Sequence, residues 1–148
     1  MNNLLPVFMK LEESSCLVIG GGKIALQKIK QLISSKAKVT VIAPKICKSI
    51  KKLPVKSINR KYKTGDIDKA KLVIAATNDN KVNKKIYEDS SKRGIPINVV
   101  DQPDLCSFYM GSVFQDGDVK VAISTNGKCP SFGTFIKDHI KNISNGLW

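Results

Sequence analysis

The apolar run Ser15-Cys16-Leu17-Val18-Ile19 ends in three glycines, Gly20-Gly21-Gly22, and Lys23-Ile24-Ala25 opens the next segment. Few features constrain a chain more. A β-branched run of this length reads as a strand buried on both faces, which belongs to a parallel sheet. From Lys23 to Ser35, Ala25, Ile29, Leu32 and Ile33 recur at helical spacing on one face. A strand, a glycine turn and a helix therefore follow one another, and the turn spells G-x-G-x-x-A. In that pattern the first glycine allows the tight turn and the second lets backbone approach a pyrophosphate. The small third residue, Ala25, lets the helix pack on the strand. Free N–H groups at the helix start favour phosphate. The context predicts dinucleotide binding by Gly20, Gly21, Gly22, Lys23, Ile24 and Ala25. A glycine-rich turn without a ligand is the competing reading.

The alternation continues. Lys38–Ala43 reads as a second strand, stopped by Pro44. Ile46–Lys52 reads as a short helix and Ser57–Tyr62 as a polar strand near a sheet edge. Leu72–Ala76 is a fully apolar strand, Asn80–Lys92 a helix with Val82, Ile86 and Tyr87 inward, and Ile95–Val100 the next strand. Gly94 suits a helix C-terminus. Strands alternating with helices predict an α/β, Rossmann-like parallel sheet with right-handed crossovers.

After Val100 the pattern changes. Ser107–Gln115 reads as a strand, Asp116-Gly117 as a hairpin signal, and Val119–Ser124 alternates apolar with polar. Pro130–Ile143 reads as a helix with Pro130 in its first turn. The expected organisation is a dinucleotide-binding domain over residues 1–104, then an antiparallel hairpin and the start of a helical region over residues 105–148.

The end of the second strand reads Val41-Ile42-Ala43-Pro44-Lys45, where a carboxylate would ordinarily bond the ribose of NAD. Backbone at Pro44 and Lys45 holds the ribose instead, or Lys45 favours a 2′-phosphate; NAD and NADP both stay open. Thr77 and Asn78 follow the Leu72–Ala76 strand on the same sheet edge and are cofactor candidates, with Asp79 as an N-cap. Asn98 is polar within an apolar strand and needs partners if buried. Asp101 falls where that strand ends, beside the expected crevice, where a loop cap before Pro103 is one reading.

Charge and cysteines narrow the classes. The 148 residues carry a formal net charge of +13, which attracts nucleic acid, anionic membrane or a small polyanion alike. Lysine-rich composition also gives such a value without a polyanionic partner. Aromatic residues are only 6% and no nucleic-acid reader motif is present, so nucleic acid is not expected. No apolar run reaches the ~18–20 residues of a membrane span. Met1-Asn2-Asn3-Leu4-Leu5-Pro6 lacks a signal-peptide pattern, and a cytoplasmic location is expected. Cys16, Cys47, Cys106 and Cys129 are dispersed, and His139 is the only histidine, so no disulfide framework and no protein metal site are expected.

Several blocks in order resemble the precorrin-2 dehydrogenase family, which includes the N-terminal module of sirohaem synthase and its stand-alone relatives. They are Leu5-Pro6-Val7-Phe8-Met9-Lys10-Leu11, read as an entry strand, and Val18–Gly22 with Ala25 and Lys28. Then come Ala75-Ala76-Thr77-Asn78-Asp79 with Val82-Asn83, and Asn98-Val99-Val100-Asp101 with Pro103. Last are Ser107-Phe108 with Met110, Val121–Ser124, and Pro130. The resemblance covers nearly the whole chain, and the ordered set is more specific than any member.

The resemblance implies NAD-dependent oxidation of precorrin-2 to sirohydrochlorin, with Asp101 as the catalytic acid–base group and a polyanionic tetrapyrrole as partner. It makes the Ser107–Ser124 hairpin the dimerisation element of a homodimer. It places Asn98, Ser107, Ser124, Thr125 and Lys128 near the substrate. Many relatives continue with helices that help enclose the tetrapyrrole, whereas this sequence ends at Trp148, which leaves closure of the pocket open. Two other functions compete. One is a bifunctional enzyme that also inserts ferrous iron into sirohydrochlorin. The other is a dinucleotide-sensing regulatory domain, which would not need Asp101 or the hairpin.

Overall fold

The structure is a computed structural model and describes residues 2–144. The chain forms two compact units, Phe8–Phe108 and a second built from residues 109–144 together with residues 2–7.

The first unit is a five-stranded sheet. Its elements are β1 (Ser15–Ile19), α1 (Lys23–Ser34), β2 (Lys38–Ala43), α2 (Lys48–Lys51), β3 (Lys56–Asn59), β4 (Leu72–Ala75), α3 (Asn80–Lys92) and β5 (Ile97–Val99). The spatial order is β3-β2-β1-β4-β5, every pair parallel. This is the expected Rossmann-like arrangement. The order reverses beside β1, between β2 and β4, which is where such sheets open a crevice at the carboxyl ends of their strands.

Alternation along the strands assigns the two faces. Leu17 and Ile19 of β1 join Val73, Ala75, Ile97, Val99 and Ile86 of α3 in one core. Cys16 and Val18 then face the opposite side, where Ala25, Ile29 and Leu32 of α1 are buried. Each fully buried Val, Leu or Ile among them contributes about 1.5–3 kcal/mol. Helix α3 is capped as its sequence suggests: the Asp79 carboxylate accepts the N–H groups of Lys81 and Val82. Gly94 follows with φ of +64°, the left-handed value that ends a helix.

The second unit is an antiparallel pair, β6 (Ser112–Asp116) and β7 (Val119–Ile123), in contact with α4 (Pro130–Ser144).

Several boundaries differ from the sequence expectation, each for a local reason. Residues 5–11 make no strand, and Leu5, Val7 and Phe8 are exposed; Pro6 offers no N–H for a ladder. α2 begins only at Lys48, because the Cys47 N–H is donated to the Gly21 carbonyl. β3 ends at Asn59, since Arg60 turns away to form a bidentate pair with Asp66. The strand expected from Ser107 begins at Ser112: the Ser107 N–H is taken by the Ile97 carbonyl. The pairing of Asp116 with Val119 makes Gly117-Asp118 the two-residue turn, one position later than expected, with Gly117 at φ +52°. The first unit runs on to Phe108, past the boundary of residue 104, because Cys106 and Ser107 bond back to β5.

Candidate functional site

Sheet register places the expected residues. Ile19 pairs with Ala75, and Ala75 with Val99, so these three share one row. Two residues further along each strand direction stand Gly21, Thr77 and Asp101. Adjacent strands lie about 4.8 Å apart, so Asp101 stands roughly 10 Å across the sheet from the glycine turn.

The three glycines divide their tasks. Gly20 has φ of +132°, and a Cβ there would lie 2.2 Å from the Ala76 carbonyl oxygen. A Cβ on Gly21 would lie 2.2 Å from the Lys45 carbonyl oxygen and 2.8 Å from Ile46 Cα. Gly21, the variable position of the motif, therefore lacks a side chain to make room for the chain's own backbone. Only Gly22 faces open space: a Cβ there would meet nothing within 4 Å. Gly22 is also the N-cap of α1, and no side chain caps it. The first helical N–H groups have no intrahelical partner and carry the positive end of the helix dipole. No acidic residue stands in the first turn. An open, uncapped, acid-free helix start fits a dinucleotide pyrophosphate. Lys23 and Ile24 are exposed there, while Ala25 is fully buried against the sheet, as expected.

Pro44 and Lys45 are exposed at the end of β2, docked on the turn through the Lys45–Gly21 contact. Asn59 Nδ2 donates to the Pro44 carbonyl at 3.5 Å. Thr77 is tied to its own helix: its hydroxyl donates to Asn83 Oδ1 at 2.6 Å, and Asn83 Nδ2 donates to the Thr77 carbonyl at 3.1 Å. Its hydroxyl is thus committed within the chain, and Asn78 beside it is exposed.

Asp101 has φ of +61°, the left-handed region, and its side chain is exposed. The loop around it is pinned. The Val100 N–H donates to Ala75, the Gln102 N–H to Val99, and Gln102 Nε2 to Asn80 Oδ1 at 2.9 Å. Among the described residues no hydrogen bond or ion pair engages the Asp101 carboxylate itself. It does not cap the loop; it is presented. Non-glycine residues held in the left-handed region cluster at functional sites.

Asn98 is buried, and its Nδ2 donates to the Phe108 carbonyl at 3.0 Å. The Ser107 hydroxyl accepts the Ile97 N–H at 2.8 Å and lies 3.2 Å from the Ile97 carbonyl. Both residues fasten segment 106–108 along β5. Cys106 does likewise, with Sγ 3.2 Å from the Val99 N–H, and burial pushes its thiol upward. A hollow of about 360 Å³ borders the start of β5, lined by Tyr87, Pro96, Leu105 and Ser107 among others. No glycine-turn residue lines it, so it is not the dinucleotide site.

In the second unit, Ser124 Oγ accepts the Asn126 N–H and Thr125 Oγ1 accepts the Cys129 N–H. Lys128 is exposed in the turn.

One residue escaped the functional reading of the sequence. Lys28 of α1 is half-buried and within electrostatic reach of Cys106 and Asp101. Burial pushes its ammonium below the ordinary lysine value, and those two groups pull it partly back. The signal was present: Lys28 stands three residues after Ala25 and four before Leu32, on the buried stripe itself.

The profile of a protein family described as "Putative NAD(P)-binding" matches residues 7–112. The chain belongs to this family. A siroheme synthase from Thioalkalivibrio sulfidiphilus is 38% identical over 144 residues, covering 95% of this chain and 29% of the relative. One from Vesicomyosocius okutanii is also 38% identical, covering 95% and 31%. The chain thus spans about three tenths of the length of these relatives. Among solved structures, SirC, a precorrin-2 dehydrogenase, superposes with a TM-score of 0.79 at 28% identity, over 94% of this chain and 70% of that one. An apo D-lactate dehydrogenase from Escherichia coli shares the fold alone, with a TM-score of 0.51 at 14% identity.

Proposed function

We propose that this NAD(P)-binding chain oxidises precorrin-2 to sirohydrochlorin, one hydride passing to NAD and one proton to the protein or solvent. The observation that carries the reading is the shared sheet edge: an open phosphate cradle at Gly22 and an unengaged carboxylate at Asp101, about two strand spacings apart. The likeness to SirC and to siroheme synthases supports the choice of substrate.

Gly20, Gly21, Gly22 and Lys23–Ala25 would hold the pyrophosphate, with backbone at Pro44 and Lys45 beside the adenosine ribose. Bound there, the nicotinamide supplies the hydride acceptor. Asp101 receives the proton released from the macrocycle; its free carboxylate needs no bond broken first. The loop bonds of Val100 and Gln102 keep that carboxylate in place. A net charge of +13 draws in a substrate carrying many carboxylates. By the family resemblance, Ser124, Thr125 and Lys128 of the second unit remain candidates for substrate contact.

The same reading makes the protein a cytoplasmic homodimer, paired through the β6–β7 hairpin and without nucleic-acid or membrane partners. A two-stranded sheet is marginal alone and gains from a second copy. Among the described residues no helix is long and apolar enough to cross a membrane.

The test is direct. Purified protein, precorrin-2 and NAD or NADP are followed anaerobically by absorbance. Sirohydrochlorin should form with stoichiometric reduced cofactor. Binding of dinucleotide with no turnover would replace this reading with a sensory domain.

A further inference from the structure

Every lysine of the Phe8–Phe108 unit is exposed except Lys28. Its neighbours along α1 explain the burial. Ala25, Ile29 and Leu32 are covered to 2% exposure or less, and Lys28 shares their stripe. An apolar residue would pack better at such a position. A charge taken partly out of water without a paired anion costs stability. Elsewhere in this unit partly buried ions are matched: Arg60 with Asp66 at 2.7 Å, Asp89 with Lys85 at 3.6 Å. Among the described residues no ion pair or hydrogen bond reaches the Lys28 ammonium.

Its direction follows from helix geometry. Side chains slant toward the N-terminus of their helix. The N-terminus of α1 lies at the carboxyl edge of the sheet, where Gly22 and Asp101 stand. Asp101 and Cys106 are the titratable groups within its electrostatic reach. Neither forms an ion pair with it, and Cys106 Sγ is occupied with Val99. The arrangement is a half-buried cation within electrostatic reach of the Asp101 carboxylate, with no direct ion pair between them.

We propose that Lys28 anchors one carboxylate of the anionic substrate at the sheet edge, holding the molecule against Asp101. This role rests on the tetrapyrrole substrate proposed above and adds a binding residue for it. A half-buried ammonium selects an anion at short range, and among the described residues no carboxylate of the chain is in direct contact with it. The positively charged nicotinamide ring would be repelled by the same group. Only the charge of Lys28 is needed, so arginine should replace it in part and methionine should not.

The experiment titrates sirohydrochlorin into the full chain anaerobically, which reads binding without turnover. NAD affinity and melting temperature are measured alongside. Lys28→Met should weaken tetrapyrrole binding by ~10- to 100-fold, the value of one charge-assisted hydrogen bond. NAD affinity should hold, and the melting temperature should not fall, because a poorly solvated charge has been removed. Lys28→Arg should recover much of the affinity. Lys30→Met, exposed on the same helix, should bind as the wild type does. Wild-type affinity in Lys28→Met overturns the proposal alone. So does a lower melting temperature with loss of both ligands, which would make Lys28 structural. A wild-type protein that binds NAD but no tetrapyrrole refutes the functional reading itself, and this proposal with it.

Discussion

Replacing Gly20 with alanine would set a methyl carbon 2.2 Å from the Ala76 carbonyl oxygen and 2.6 Å from its carbon. Both atoms are backbone at the end of β4, so no side chain can swing aside. Relief requires β1 and β4 to separate, although the Ala76 N–H bonds the Ile19 carbonyl at 2.7 Å beside them. Overpacking of this kind costs about 1–3 kcal/mol. The φ of +132° adds about 1–3 kcal/mol for a residue with a Cβ. For a unit of this size each kcal/mol lowers the melting temperature by roughly 4–8 °C, so the combined ~2–6 kcal/mol should make Gly20→Ala melt on the order of 10–50 °C below the wild type. Gly22→Asp should behave oppositely. Its site is open, its φ of −97° is ordinary, and aspartate is a good N-cap, so the melting temperature should hold or rise. A carboxylate about 4 Å from a pyrophosphate repels it by about 4 kcal/mol near a protein surface, so NAD affinity should fall by ~100-fold or more. Thermal melts and calorimetric NAD titrations of the two variants check both halves. A Gly20→Ala protein that melts with the wild type, or a Gly22→Asp protein that binds NAD normally, would refute the division of labour among the glycines.

Asp101→Ala should cut turnover by ~100-fold or more with NAD affinity little changed; wild-type turnover would remove Asp101 from the chemistry. Tyr62 donates to the buried Asp89 carboxylate at 2.9 Å. Burial alone would raise Asp89, but the Tyr62 and Thr64 hydroxyls, with Lys85 and Arg93, hold it below the ordinary carboxylate value. A depressed carboxylate stabilises the fold above its unfolded value near 4 and ceases to do so as pH falls through the folded value. Tyr62→Phe should therefore cost about 1–3 kcal/mol at pH 7, a deficit that narrows below pH ~4 in denaturant titrations. An unchanging deficit from pH 7 to 3 would count against this network. Burial raises Cys16 to about 11 despite Lys71, whereas the exposed Cys129 is lowered by Ser131 and the Phe132 N–H. Alkylation of the native protein should label Cys129 first and Cys16 only on unfolding; an unchanged initial rate in Cys129→Ser would contradict it.

Local pattern was enough to read β1, α1, β2, β4 and α3, because each carries its own periodicity and its own stop signal. Asp79 as an N-cap and Gly94 after α3 were legible for the same reason: capping is settled within a few residues. Asp101 could be placed at a strand end, since strand direction follows from the alternation of strands and helices. What the linear chain could not express was which backbone lies against which. Gly20 and Gly21 owe their lack of a side chain to Ala76 and Lys45, residues 56 and 24 positions away. Asn98 and Ser107 are polar because β5 needs a fastening along its outer edge. The spacing of Lys28 from Ala25 and Leu32 was legible, but only the packing of α1 shows that its charge is partly taken out of water. Periodicity and capping are short-range and survive in the order of residues; steric exclusion and desolvation depend on neighbours that only folding brings close.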